Sequence, residues 1–168
     1  MVKAYLEQGV SPNGYRGYYG DTPIMAASRE GHADIVKVLL QYGAQTDVTN
    51  NHDTTLFDTA LQTFGNWKED VILVLMDHMQ EYKKDLVWDK RGFNTAVQRG
   101  YLNAVRRLLD WDPSLIHQRD VFNRTPLMCA AIHAEIEMME LLLALGADVN
   151  EQNNRGCTAL VGAVQNKT

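Results

Sequence analysis

The feature that most limits what this chain can fold into is the return of small side chains at near-constant intervals. Ala27, Ala60, Ala96, Ala130 and Ala163 lie 33, 36, 34 and 33 residues apart, each inside a similar stretch. A period in the low thirties specifies a stack of short units. A unit of that size cannot bury its own apolar face and must share a core with its neighbours. The 168 residues leave room for about five such units. Most stacks of this kind present a surface instead of enclosing a reaction chamber.

Two segments superpose without a gap at an offset of 103: Thr22-Pro23-Ile24-Met25-Ala26-Ala27 on Thr125-Pro126-Leu127-Met128-Cys129-Ala130, and Gly43-Ala44 on Gly146-Ala147. A third copy begins at Gly156-Cys157-Thr158-Ala159-Leu160. Each copy reads as a physical unit. Threonine at the helix entry accepts from free first-turn amides, and proline fits next because its missing N–H costs nothing there. Gly31 or Gly100 then stops the short inner helix. A second, outer helix carries apolar residues at helical spacing: Ile35, Val36, Val38, Leu39 and Leu40 in one copy, Met138, Met139, Leu141, Leu142 and Leu143 in another. Gly43 or Gly146 ends it, and a polar segment turns the chain towards the next unit.

The phrases GDTPIMAASREGHADIVKVLLQYGAQTD (20–47) and RTPLMCAAIHAEIEMMELLLALGADVN (124–150) resemble the ankyrin repeat, matching its TPLH-x-AA, GH, IV-x-LLL and GADVN elements in order and distance. The resemblance implies an all-α fold: an α-solenoid of stacked helix–turn–helix repeats with projecting hairpin-like turns. It implies one array over 1–168, with repeats at 17–49, 50–85, 86–119 and 120–152 and partial units at 1–16 and 153–168. Residues 2–9 resemble an outer helix with its glycine stop, and 158–168 an inner helix without its outer partner. Both ends look cut, as expected for a piece of a longer protein or, alternatively, for ends that a partner covers.

The middle units depart most from the pattern. The second keeps Thr55, Phe57 and Ala60 but has Leu56 in place of proline. It carries about three extra residues, near 64–68 or 79–84, and its outer helix is expected to run through Glu81 and Tyr82. The third has Arg91-Gly92 where threonine and proline belong, so its inner helix should start loosely. Asp112-Pro113-Ser114-Leu115-Ile116-His117 replaces its closing Gly-Ala-Asp-Val-Asn. Ala134 stands where a glycine usually ends the fourth inner helix.

Composition narrows the partners. A net charge of −5 argues against a nucleic-acid binder, which would neutralise phosphates with a basic face. No apolar run approaches the ~18 residues of a membrane span. The N-terminal stretch lacks the apolar centre of a secretory signal, although export without one stays open. Cys129 and Cys157 offer neither metal spacing nor a disulfide framework, which fits the cytoplasm or another reducing compartment. No cofactor is expected. The expected partner is a protein, met by a monomer or by part of a longer chain.

Ankyrin-type stacks bind through the concave side made by projecting turns and inner helices, and the resemblance places a surface here. The third position of successive turns gives Tyr19, His52, Trp88, Phe122 and Arg155; the second gives Tyr18, Asn51, Val87, Val121 and Asn154. Val87 and Val121 are expected to fold onto adjacent turns. Tyr19, Trp88 and Phe122 are expected to meet a partner, since a polar turn has no internal reason to leave such rings in water. Inner-helix ends complete the face with Arg29, Glu30, Gln62, Thr63, Gln98, Arg99, Ile132 and His133. Asp21, Lys90 and Arg124 count with the same partner-binding set.

Sites of chemistry are weaker. Cys129 and His133 stand four apart, a spacing that admits a thiolate–imidazole pair, but the resemblance puts Cys129 at a small, buried position where a thiol is inert. His133 and Glu137 would straddle the helix break at Ala134, with no third metal ligand evident. His32 falls where the family has a structural histidine, and His117 where it has asparagine. Asn150, after Gly146-Ala147-Asp148-Val149, resembles sites hydroxylated in some ankyrin arrays. The expected function is that of a non-catalytic protein-interaction module. The alternative is the targeting region of a larger enzyme or effector, and a third reading is a structural spacer.

Overall fold

The computed structural model describes residues 1–62, 69–81 and 90–165, and it is all-α. Among the described residues there is one isolated bridge, Thr49 with Thr55, and no strand. The chain is an all-α repeat solenoid that divides into two units, residues 1–87 and 88–168.

In the first unit, helices α1 (Val2–Glu7), α2 (Pro23–Arg29), α3 (Ala33–Gln41), α4 (Leu56–Gln62) and α5 (Glu69–Glu81) follow in order. The short inner helices α2 and α4 pack side by side, each also against its own outer helix, and α3 packs on α5. Ile24, Met25, Val36, Leu56, Ile72, Leu75 and Met76 are fully buried between these layers. Ala27 and Ala60 are buried as well. Their lack of a long side chain lets the helices approach.

The second unit holds α6 (Lys90–Gln98), α7 (Leu102–Trp111), a 3₁₀ turn (Pro113–His117), α8 (Pro126–Ile132), α9 (Ile136–Ala144) and α10 (Ala159–Gln165). Helix α8 packs against α6, α9 and α10, and α7 against α6, α9 and the 3₁₀ turn. Phe93, Leu108, Met138 and Leu142 fill this core.

Capping explains where the inner helices begin. Thr22 Oγ1 accepts from the Met25 amide at 3.5 Å and Thr125 Oγ1 from the Met128 amide at 3.3 Å, each followed by proline in the first turn. α4 lacks that proline and compensates with a reciprocal box. The Asp58 amide donates to Thr55 Oγ1 at 3.1 Å, and the Thr55 amide donates back to Asp58 Oδ2 at 3.2 Å.

Glycines end the inner helices in the left-handed region, Gly31 at φ +77° and Gly100 at +69°, and Ala134 takes the same conformation at +57°. An alanine there is held at a backbone energy glycine would not incur. Outer helix α5 spans 13 residues against nine in α3 and reaches Glu81 as the sequence indicates. Tyr82, most of the extra residues of that repeat and the approach to α6 lie outside the described residues. His32 occupies the N-cap position of α3 without a side-chain cap bond, and it is exposed. In the third repeat, Asp112 Oδ1 accepts from the Ser114 amide at 3.0 Å and starts the 3₁₀ turn that replaces the usual outer-helix ending.

Candidate protein-interaction surface

Four projecting turns are described, at 17–21, 50–54, 120–124 and 153–157, and one hydrogen-bond scheme builds all of them. The first residue donates its N–H to the carbonyl of the fifth: Gly17 to Asp21 at 2.9 Å, Asn50 to Thr54 at 3.1 Å, Asp120 to Arg124 at 3.1 Å, Asn153 to Cys157 at 3.0 Å. The fourth residue donates back to the carbonyl of the first and is left-handed: Gly20, Asp53, Asn123 and Gly156. Only Gly, Asn and Asp adopt that conformation routinely, which is why these turns are polar. In three of the turns the first side chain braces the loop. Asn50 Oδ1 accepts from the His52 and Thr54 amides, Asp120 Oδ1 from Phe122 and Arg124, and Asn153 Oδ1 from Arg155 and Cys157, all at 2.8–3.1 Å.

This closure pushes the second and third side chains outward. Tyr18 is 94% exposed, Tyr19 53% and Phe122 59%; His52 and Arg155 are exposed too. Val121 is 84% exposed and therefore does not fold onto an adjacent turn as expected. Its neighbours Asp120 and Phe122 are fixed by the turn bonds, leaving the valine at the apex. Trp88 and Val87 lie outside the described residues, and of Lys90 only its place at the start of α6 is described.

Within the first unit, adjacent turns are joined by the Asn51 amide donating to the Tyr19 carbonyl at 3.0 Å. Arg16 Nη1 donates to the carbonyls of Gly20 (3.3 Å) and Thr49 (3.1 Å). The Tyr18 and Tyr19 rings meet edge to face at 5.2 Å, and Tyr19 lies 6.0 Å from the His52 ring. Asp21 is buried, accepts from Asn50 Nδ2 at 2.9 Å and pairs with Arg29. That carboxylate shapes the turn and orients Arg29, so it is not a free charge for a partner. Glu30, by contrast, is exposed.

The second unit repeats the device. Arg119 Nη1 donates to the carbonyls of Asn123 (3.0 Å) and Gln152 (3.1 Å), and Arg119 pairs with Glu151 at 3.1 Å. The Asn154 amide reaches the Phe122 carbonyl at 3.4 Å. Sequence reasoning missed Arg16 and Arg119 as the braces of this surface. Their separation of 103, the offset of the superposed segments, was the available signal. Arg124 bonds Asp120 at 2.6 Å and places its guanidinium 4.9 Å from the centre of the Phe122 ring.

Between the turns and helices α8 and α10 of this unit lies an open groove of about 510 Å³. Phe122, Arg124, Met128, Ile132 and Arg155 line it, so four residues of the sequence-derived set (Phe122, Arg124, Ile132, Arg155) come together there. Arg99 is half-buried at the end of α6, and exposed His133 closes α8.

The Cys129–His133 pair is not formed. His133 Nδ1 lies 2.9 Å from the Cys129 carbonyl, and Cys129 itself is fully buried. Burial pushes its thiol above the usual range, against smaller opposing effects of the Arg124 charge and a Gln98 hydrogen bond. Among the described residues no group of three potential ligands could hold a metal ion, and no helix is long and apolar enough to cross a membrane.

The family model described as ankyrin repeats (three copies) matches residues 1–85 and 93–168. The chain belongs to the ankyrin repeat family. It is 48% identical, over 36% of its length, to the serine/threonine-protein kinase VIK of Arabidopsis thaliana, and 28% identical, over 99%, to the palmitoyltransferase ZDHHC13 of Homo sapiens. This ankyrin chain spans 14% of that kinase and 26% of that transferase. It is also similar to a chain in the solved complex of the predatory endopeptidase Bd0816 from Bdellovibrio bacteriovorus with the immunity protein Bd3460. The TM-score is 0.75 at 25% identity, covering 98% of this chain and 84% of that one. Ankyrin repeats are protein-interaction modules and generally non-catalytic.

Proposed function

We propose that this ankyrin array binds a partner protein through the face made by its projecting turns and the ends of its inner helices. The supporting observation is the pinned but exposed aromatic tips. Tyr18, Tyr19 and Phe122 stand exposed on turns closed by backbone hydrogen bonds between their first, fourth and fifth residues. Apolar surface in water costs about 25 cal/mol per Å², and pre-ordered aromatic groups are what interface hot spots are built from. The charged and polar side chains of Arg29, Glu30, Arg99, His133 and Arg155 set orientation more than affinity. The chain acts as a monomer or as part of a longer one, in the cytoplasm or another reducing compartment.

Cross-linking and mass spectrometry in the native cell identify the partner. Trp88→Ala combined with Phe122→Ala then weakens capture of that partner while helical content and melting stay nearly unchanged. A large fall in melting temperature with this pair would make the rings internal packing.

A second reading is a recruiting region within a larger enzyme or effector. It is favoured by the small fraction of the kinase and transferase that the chain spans. The intact mass of the native gene product separates it from a free-standing module.

A further inference from the structure

The groove of the second unit has a chemical character of its own. Its floor is apolar: Met128 is buried, and Ile132 lies so close to α10 that a Cβ on Gly162 would meet Ile132 Cγ1 at 3.0 Å. Phe122 and Arg155, from the tips of successive turns, also line the groove. No carboxylate lines the groove, although the chain as a whole carries a charge of −5. Of the two lining arginines, Arg124 is neutralised by Asp120 at 2.6 Å, whereas the exposed Arg155 guanidinium has no ion pair or hydrogen bond among the described residues. Asn154 adds a side-chain amide beside it, a group that matches both the donors and the acceptors of a peptide backbone, while the oxygen of Asn153 is held by its own turn.

We infer that this groove takes an extended acidic peptide segment of a partner protein, seating a large apolar side chain between Phe122 and Ile132 and a neighbouring carboxylate on Arg155. The inference rests on the interaction-module reading and gives that reading's partner a chemistry. A guanidinium binds a carboxylate through paired N–H donors, and at the edge of an apolar trough that pairing is less screened than on open surface. A volume of about 510 Å³ falls in the range that buries a compact ligand group. It suits one or two side chains and not a whole domain.

The test is selection of a random displayed-peptide library on the immobilised full chain, followed by titration of synthetic peptides. The expected consensus pairs Asp or Glu with a large apolar residue. Arg155→Glu should weaken the selected peptide by about tenfold or more, and exchanging the peptide's acid for lysine should restore binding to that variant alone. Phe122→Ala should weaken both pairs equally. Circular dichroism should be unchanged throughout, because neither side chain is buried. A consensus without an acid, affinity indifferent to Arg155→Glu, or no enrichment overturns the inference. The module reading survives those results if the Trp88/Phe122 double substitution still weakens capture of the cross-linked partner, and falls with them if it does not.

Discussion

The two units carry the same turn at the same offset and charge it in opposite ways. In the first, the fifth turn residue is Asp21, buried and paired with Arg29 at the end of the inner helix. In the second, the same places are Arg124 and Ile132, so the helix-end cation is gone and the turn supplies the positive charge itself. The first turn residue changes with them, from Gly17 to Asp120, and gives Arg124 a partner inside the turn. The backbone scheme is untouched by these exchanges. Moving the ion pair from turn-to-helix to within the turn leaves Ile132 free to floor an apolar groove. The scaffold is kept while the chemistry of its face is rewritten.

Four measurements press on this comparison. The largest effect should come from Gly20→Ala against Gly156→Ala. Both glycines are left-handed, but a Cβ at Gly20 would stand 2.9 Å from the Asn51 amide nitrogen, whereas at Gly156 the nearest atom is 4.0 Å away. Urea unfolding should show a loss of about 3 kcal/mol for the first and about 1 kcal/mol for the second. Equal losses would mean that the turn-to-turn contact carries little weight.

Next, Asp21→Asn should cost about 2 kcal/mol, because Arg29 and Asn50 lose a buried carboxylate. The Asp120 carboxylate, 11% exposed against 6% for Asp21, should lose about 1 kcal/mol or less with Asp120→Asn, whose side-chain oxygen still accepts from the Phe122 and Arg124 amides. The reverse ranking would refute the burial argument. Third, Ala134→Gly should raise stability by about 1 kcal/mol, since Gly31 already fills the matching place in the first unit.

The smallest effect concerns pH. Cys129 is buried against α6, whereas Ala26 at the matching place in α2 is exposed. The folded thiol titrates above its unfolded value, so its contribution is complete below the unfolded thiol value of about 8.5. That contribution is lost as pH rises through the folded value. The fall in stability over this alkaline range should be shallower in Cys129→Ala than in the native chain, and equal slopes would place the thiol in contact with water.

Much of this was legible in the residues. Thr22-Pro23 and Thr125-Pro126 announced helix starts, the single glycines announced stops, and the apolar spacing of 35–40 and 138–143 announced outer helices. The position of Tyr19 and Phe122 at turn tips also followed from repeat register. Other features were hidden because they depend on a partner far along the chain. Thr55 and Asp58 share a local box that could have been read, but Arg16 reaches Thr49 and Arg119 reaches Gln152, 33 residues on. Asp21 looked like a surface acid until Asn50 and Arg29 closed over it, and Val121 looked ready to pack until the turn aimed it outward.

By itself, then, the sequence determined the repeat, its helix pairs and the places where the chain must turn, since those rest on hydrogen bonds and dihedral preferences within a few residues. Tertiary structure alone decided which charges are consumed inside the fold and which, like Arg155, remain for something else. Burial and ion pairing depend on which side chains the stacking of one repeat on the next brings into reach.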